Sequence, residues 1–145
     1  MELSRTPETL AQTGGNPLRL SGIVYDSRCR PLSGAVLQVW HTNANGEYGP
    51  GHGTSQLRCC YLVGAVETDG SGRYEIDTIM PGHYQGETTP PPVHIHFWVS
   101  HPTTRTLSTE LDFAGDPYLP RDAKPVITLH EELGVLQGSF DIVLS

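Results

Sequence analysis

The 145-residue chain carries nine basic and sixteen acidic side chains, a formal net charge of −7. That length fits one domain, which can bury roughly 70% of the surface its unfolded chain exposes. No apolar run approaches the roughly 18 residues of a membrane helix, and the acidic balance argues against nucleic acid, whose phosphates need a basic face.

Sixteen glycines and twelve prolines make the chain turn-rich, below the roughly 25–30% of a low-complexity sequence. Residues 1–16 are polar and lack an apolar core followed by a small-residue cleavage site, so no secretory leader is expected there. Cys29, Cys59 and Cys60 form neither a disulfide framework nor a C-x-x-C pair. Reduced thiols in a cytoplasmic protein are expected.

In chain order, residues 1–17 read as a loose arm ahead of a single domain over 18–145. A first strand is predicted over 18–25, ending at Asp26-Ser27, and a second over 35–42, ending in the turn cluster Asn43-Ala44-Asn45-Gly46. Asp69-Gly70-Ser71-Gly72 precedes a run in which Tyr74, Ile76 and Thr78 share one face and Arg73, Glu75 and Asp77 the other. Further strands are predicted over 93–100, 107–113, 126–129 and 138–144. Phe140, Ile142 and Leu144 share a face in the last. Residues 121–136 have room for a helical turn or two, but Pro125 and Gly134 interrupt them. The expectation is an all-β, antiparallel β-sandwich of about seven to eight strands with long loops and little helix.

The most informative segment is Val93-His94-Ile95-His96-Phe97-Trp98-Val99. Strand alternation puts Val93, Ile95, Phe97 and Val99 on an apolar face and aims His94 and His96 together from the other. Two imidazoles so placed suit one ion, but imidazole alone serves zinc, copper, iron and nickel equally. Two exposed histidines facing solvent would show the same pattern. Two tyrosines follow turns: Tyr48 after Asn45-Gly46-Glu47, and Tyr84 after Pro81-Gly82-His83. Taken alone, each reads as a packing residue.

Taken together, these segments closely resemble the intradiol ring-cleavage dioxygenases. The resemblance rests on Gly22-Ile23-Val24 with Asp26, Gly34 to Trp40, Asn45-Gly46-Glu47-Tyr48, Thr68-Asp69-Gly70 with Gly72-Arg73-Tyr74, and Thr78 to Tyr84. It continues through His94-Ile95-His96-Phe97, Leu107 to Phe113 and Gly115-Asp116-Pro117, in order, over about residues 18–117. It implies a non-haem Fe(III) held by Tyr48, Tyr84, His94 and His96, with a hydroxide in a fifth position. Tyr84 and His96 would be axial, and Tyr48 and His94 equatorial.

The implied reaction cleaves a catechol-type diol between its hydroxyls with O2, giving a muconate-type diacid. Tyr84 and Tyr48 would be catalytic as well as ligating, since the displaced Tyr84 phenolate and hydroxide can take the substrate's two protons. The donor chemistry agrees. A phenol with a pKa near 10 binds well only to a cation strong enough to expel its proton, and two phenolates with one hydroxide balance three positive charges.

Two departures from the family pattern stand out. Pro91 occupies the place of an arginine in the common Arg-Pro-x-His-Ile-His, and Glu110 that of a glutamine. Arg58 and Arg105 are the candidates to replace the lost charge. A metal-binding but weakly active or inactive family member, or a metal-free binding module, are the alternative readings. Trp40 and Trp98 read as packing residues, Trp98 sharing the histidine face. His41, His52, His101 and His130 read as surface or turn positions, and His83 as a possible support for Tyr84. The resemblance leaves room for a homo-oligomer, because family members often assemble.

Overall fold

The computed structural model describes residues 15–48, 62–84, 86, 88–120 and 125–145. Among the described residues ten strands run in chain order: β1 (Pro17–Asp26), β2 (Val36–His41), β3 (Leu62–Glu67), β4 (Arg73–Ile79), β5 (His94–Ser100), β6 (Leu107–Phe113), β7 (Val126–Ile127), β8 (His130–Glu132), β9 (Val135–Ser139) and β10 (Ile142–Leu144). They form two sheets. In one, β1 is central, with β4 antiparallel to it and β9 and β10 parallel, and β8 follows β9. The other has the order β3-β2-β5-β6-β7.

The sandwich is as expected, and its sheets are mixed rather than purely antiparallel. The parallel pairs arise because the chain returns at its end to lie beside β1. Residues 138–144, read as one strand, divide at Phe140 and Asp141. Phe140 N–H donates to Ser21 O at 2.8 Å, and Ile23 N–H donates to the Asp141 carboxylate at 2.9 Å. Gly22 admits this crossing, since a Cβ there would lie 2.1 Å from Phe140 O. The hairpin β8–β9 lies in the stretch where helical turns had room. Residues 121–124 lie outside the described residues, as do residues 1–14 of the expected arm.

The alternation read from sequence becomes the core. Leu18, Leu20, Val24, Ile76 and Ile142 face Leu37, Val39, Ile95, Phe97 and Val99, all essentially buried. Phe97 and Phe140 meet edge to face at 5.2 Å across the two sheets. Burial of these side chains contributes about 1.5–3 kcal/mol each. The outward face of β5, with neighbouring turns, is thereby left free to carry chemistry.

Candidate metal centre

Two turns bring the tyrosines to the histidines. After β2, Asn43 O accepts the Gly46 amide (3.0 Å) and the Gly82 amide (2.9 Å), while the Asn43 side chain accepts the amides of Asn45 and Glu47 at 3.0 Å each. Thr42 Oγ1 donates to Gly82 O at 3.0 Å. The turns meet backbone to backbone. A Cβ on Gly46 would lie 1.8 Å from His83 O, and one on Gly82 2.1 Å from Ala44 O. Gly46 also has φ +82°, a region that costs other residues roughly 1–2 kcal/mol. Both glycines are therefore required by close approach.

Tyr48 and Tyr84 leave this clasp with their hydroxyls 2.6 Å apart. Tyr48 Oη lies 2.8 Å from His96 Nε2 and 3.4 Å from His94 Nε2, and Tyr84 Oη lies 3.1 Å from His94 Nε2. All four sequence-predicted residues thus converge, and Tyr48 and His94 are buried. Donor atoms bound to one ion at about 2.0–2.1 Å lie about 3 Å apart at right angles, which is the spacing seen. His94 Nδ1 donates to Pro92 O at 2.8 Å, which leaves the Nε2 lone pair facing the tyrosines. Trp40, the cross-strand partner of His96, stacks on its ring at 5.0 Å with an interplanar angle of 4°.

Electrostatics make the Tyr48 phenol a reluctant ligand for a weak cation. Burial pushes the Tyr48 hydroxyl well up from its ordinary pKa, with the Tyr84 hydrogen bond and charge and then Glu110 adding to it. Burial also pushes His96 down to about 4, His94 adding to the shift and Glu110 opposing it. A neutral imidazole and a phenol that ionises only against strong positive charge suit a hard trivalent ion. The residues present therefore fit Fe(III).

Glu110 approaches from the other edge of His96, its carboxylate 3.7 Å from Nδ1. His94, His96 and Glu110 can also be grouped as three metal-ligating side chains with ligand atoms within 4.8 Å of one another. Arg105 is exposed and precedes β6, whose far end pairs Asp112 with His94. It therefore sits away from the site. Arg58, His52, Cys59 and Cys60 lie outside the described residues, and Cys29 is an exposed free thiol.

His41 is a correction. It is fully buried, with Nδ1 against Thr42 O and Nε2 2.7 Å from Thr78 Oγ1. It follows Leu37 and Val39 at period two, so it points inward. Trp98 is the opposite case, 46% exposed on the outer face rather than packed. Asp116, quoted above only within Gly115-Asp116-Pro117, accepts hydrogen bonds from His83 and from the Val93 amide. A carboxylate after a Gly in a loop gives no sequence signal of such contacts.

A dioxygenase family model matches residues 2–137. The chain belongs to the intradiol dioxygenase family. It is 35% identical over 117 residues to catechol 1,2-dioxygenase 1 of Acinetobacter lwoffii, covering 71% of this chain and 38% of that protein. It is 32% identical over 140 residues to the chlorocatechol 1,2-dioxygenase of Rhodococcus opacus, covering 83% and 54%. Among solved structures, it resembles the dioxygenase domain of a dioxygenase carbohydrate-binding protein fusion from Streptomyces sp. SirexAA-E. That match has a TM-score of 0.77 and 30% identity, and covers 93% of this chain and 83% of that one. This intradiol family member thus spans about two fifths to a half of the curated relatives' length. No helix among its described residues is long and apolar enough to cross a membrane.

Proposed function

We propose that this family member is a non-haem Fe(III) dioxygenase that cleaves a catechol-type diol between its hydroxyls, with O2 as co-substrate. The observation that carries the reading is the meeting of two phenol oxygens and two imidazole nitrogens at 2.6–3.4 Å. Tyr48, Tyr84, His94 and His96 would hold the iron, which supplies Lewis acidity and a template for both diol oxygens. His94 contributes a lone pair fixed in direction by its bond to Pro92 O. His96 contributes a ring whose plane Trp40 sets. Tyr84 is the less buried of the two tyrosines, and its Oη can accept a substrate proton on release, so the reading needs no separate general base. Tyr48, at 6% exposure, would be the more fixed of the two anionic ligands. Pro91 offers no positive charge where the family pattern has arginine, so turnover of simple catechols is expected to be slower than with an arginine there.

A second reading, a metal held by His94, His96 and Glu110, has one specific observation behind it: their ligand atoms lie within 4.8 Å of one another. Geometry disfavours it, because Glu110 faces Nδ1 of His96 while Tyr48 meets its Nε2.

The experiment is Fe(III) reconstitution of the full chain with iron analysis, visible absorption and O2 uptake on catechol, protocatechuate and hydroxyquinol. One iron per chain, a red-brown tyrosinate charge-transfer band and stoichiometric O2 consumption are expected. A colourless protein ends the reading. Colour without O2 uptake keeps the metal centre and removes the turnover.

A further inference from the structure

The candidate ligands come from separate parts of the sandwich. Tyr84 follows β4 of one sheet, while His94 and His96 open β5 of the other. One buried carboxylate touches both approaches. Asp116 Oδ2 accepts the Val93 amide at 2.8 Å, immediately before His94. Both Asp116 oxygens lie 3.0 Å from His83 Nε2, immediately before Tyr84. Its Oδ1 also accepts the Tyr118 amide at 2.9 Å, and the Tyr118 ring meets His83 edge to face at 5.0 Å. The Asp116 side chain is only 3% exposed.

We infer that Asp116 is a positioning residue that latches the Tyr84 segment to the start of β5 and so sets the Tyr84–His94 separation. Its iron readout rests on the dioxygenase reading above, but its geometric readout does not. A carboxylate serves here because it offers acceptors to three N–H groups at once. Asparagine has one acceptor oxygen and would turn its NH2 toward one of those donors.

The test uses the full chain with D116A, D116N and, as control, D69N. Asp69 caps a similar turn, accepting the Ser71 and Arg73 amides, but at the opposite end of β4. In metal-free protein, nuclear magnetic resonance follows hydrogen exchange at the Val93 amide and the proximity of the Tyr84 and His94 rings. A spectrophotometric Fe(III) titration follows affinity and band position.

In D116A and D116N, Val93 exchange is expected to quicken at least tenfold and the ring contact to be lost. Iron affinity is expected to fall at least tenfold with a displaced band, while D69N matches wild type. Wild-type Val93 protection and ring contact in D116A would overturn the latch. Wild-type protein that takes up no iron would overturn the dioxygenase reading, and the two metal-free readouts would still decide the latch. If the Asp116 variants fail to fold, H83F decides it. That variant keeps an aromatic edge on Tyr118 and removes only the N–H, so ring contact is lost while Val93 protection stays; an intact ring contact overturns the latch.

Discussion

Substituting Gly82 by alanine probes the clasp from which both tyrosines emerge. The added Cβ would stand 2.1 Å from Ala44 O, 2.7 Å from the Ala44 carbonyl carbon and 2.9 Å from Gly46 N. All three are backbone atoms, so no side chain can swing aside. Reaching ordinary contact requires the turns to part by about 1 Å or more. That retreat breaks the bonds Gly82 N–H→Asn43 O and Thr42 Oγ1–H→Gly82 O, at about 1 kcal/mol each. Packing strain adds about 1–3 kcal/mol, for a total of about 3–5 kcal/mol. For a domain of this size, each kcal/mol moves Tm by about 2–4 °C, so a drop of at least about 6 °C is expected by differential scanning calorimetry. Iron affinity should fall with it, because the same retreat separates the phenol oxygens. Gly70 is the control: a Cβ there meets nothing within 4 Å, and G70A should stay within about 0.5 kcal/mol of wild type. A G82A protein with unchanged Tm and iron affinity would refute the claim that backbone contact between the turns builds the site.

Glu110→Gln separates the two ligand sets: iron affinity by titration stays within threefold if the tyrosines are ligands, and collapses if the carboxylate is one. Tyr74→Phe removes the buried hydroxyl that donates to Phe140 O; urea denaturation should show a loss of about 1–3 kcal/mol, and a change near zero would show the bond to be dispensable. For pH, burial works to raise the Asp116 carboxyl, but the Tyr118 amide, His83 and the Val93 amide outweigh it and hold the pKa below its ordinary 3.8. The unfolded chain therefore takes up this proton first on acidification. The stability that Asp116 contributes is complete above that value and drains away as pH falls through the lower folded value. The gap between wild type and D116N in urea midpoint should accordingly narrow below about pH 4, and a gap that widens would contradict the direction.

How much was legible varied with the physics of each element. The 107–113 strand and the inward face of 93–99 were readable because strict alternation against a core leaves one register. Residues 62–67 drew no strand reading: Leu62, Val63, Ala65 and Val66 alternate poorly, and the strand exists because its backbone pairs with β2 at the sheet edge. The break at Phe140–Asp141 was hidden as well, since it depends on Gly22 more than a hundred residues earlier. His94 and His96 announced themselves by period two. Their meeting with Tyr48 and Tyr84 was legible only through family resemblance, because convergence of three distant segments leaves no trace in local spacing. The Pro92 carbonyl and the Trp40 stack escaped for a simpler reason. One is a backbone atom common to every residue, and the other is a cross-strand neighbour fixed only by pairing.

The placement of β1 beside β9 and β10 has a consequence for biosynthesis. Ile23 is bonded to a side chain 118 positions downstream, so the central strand of one sheet emerges from the ribosome long before its parallel neighbours exist. Until then β1 has β4 on one flank and an open edge on the other. Such long-range closure is slow. Between the emergence of β4 and that of β9 the nascent chain therefore carries that edge unpaired, for an interval set by the speed of translation.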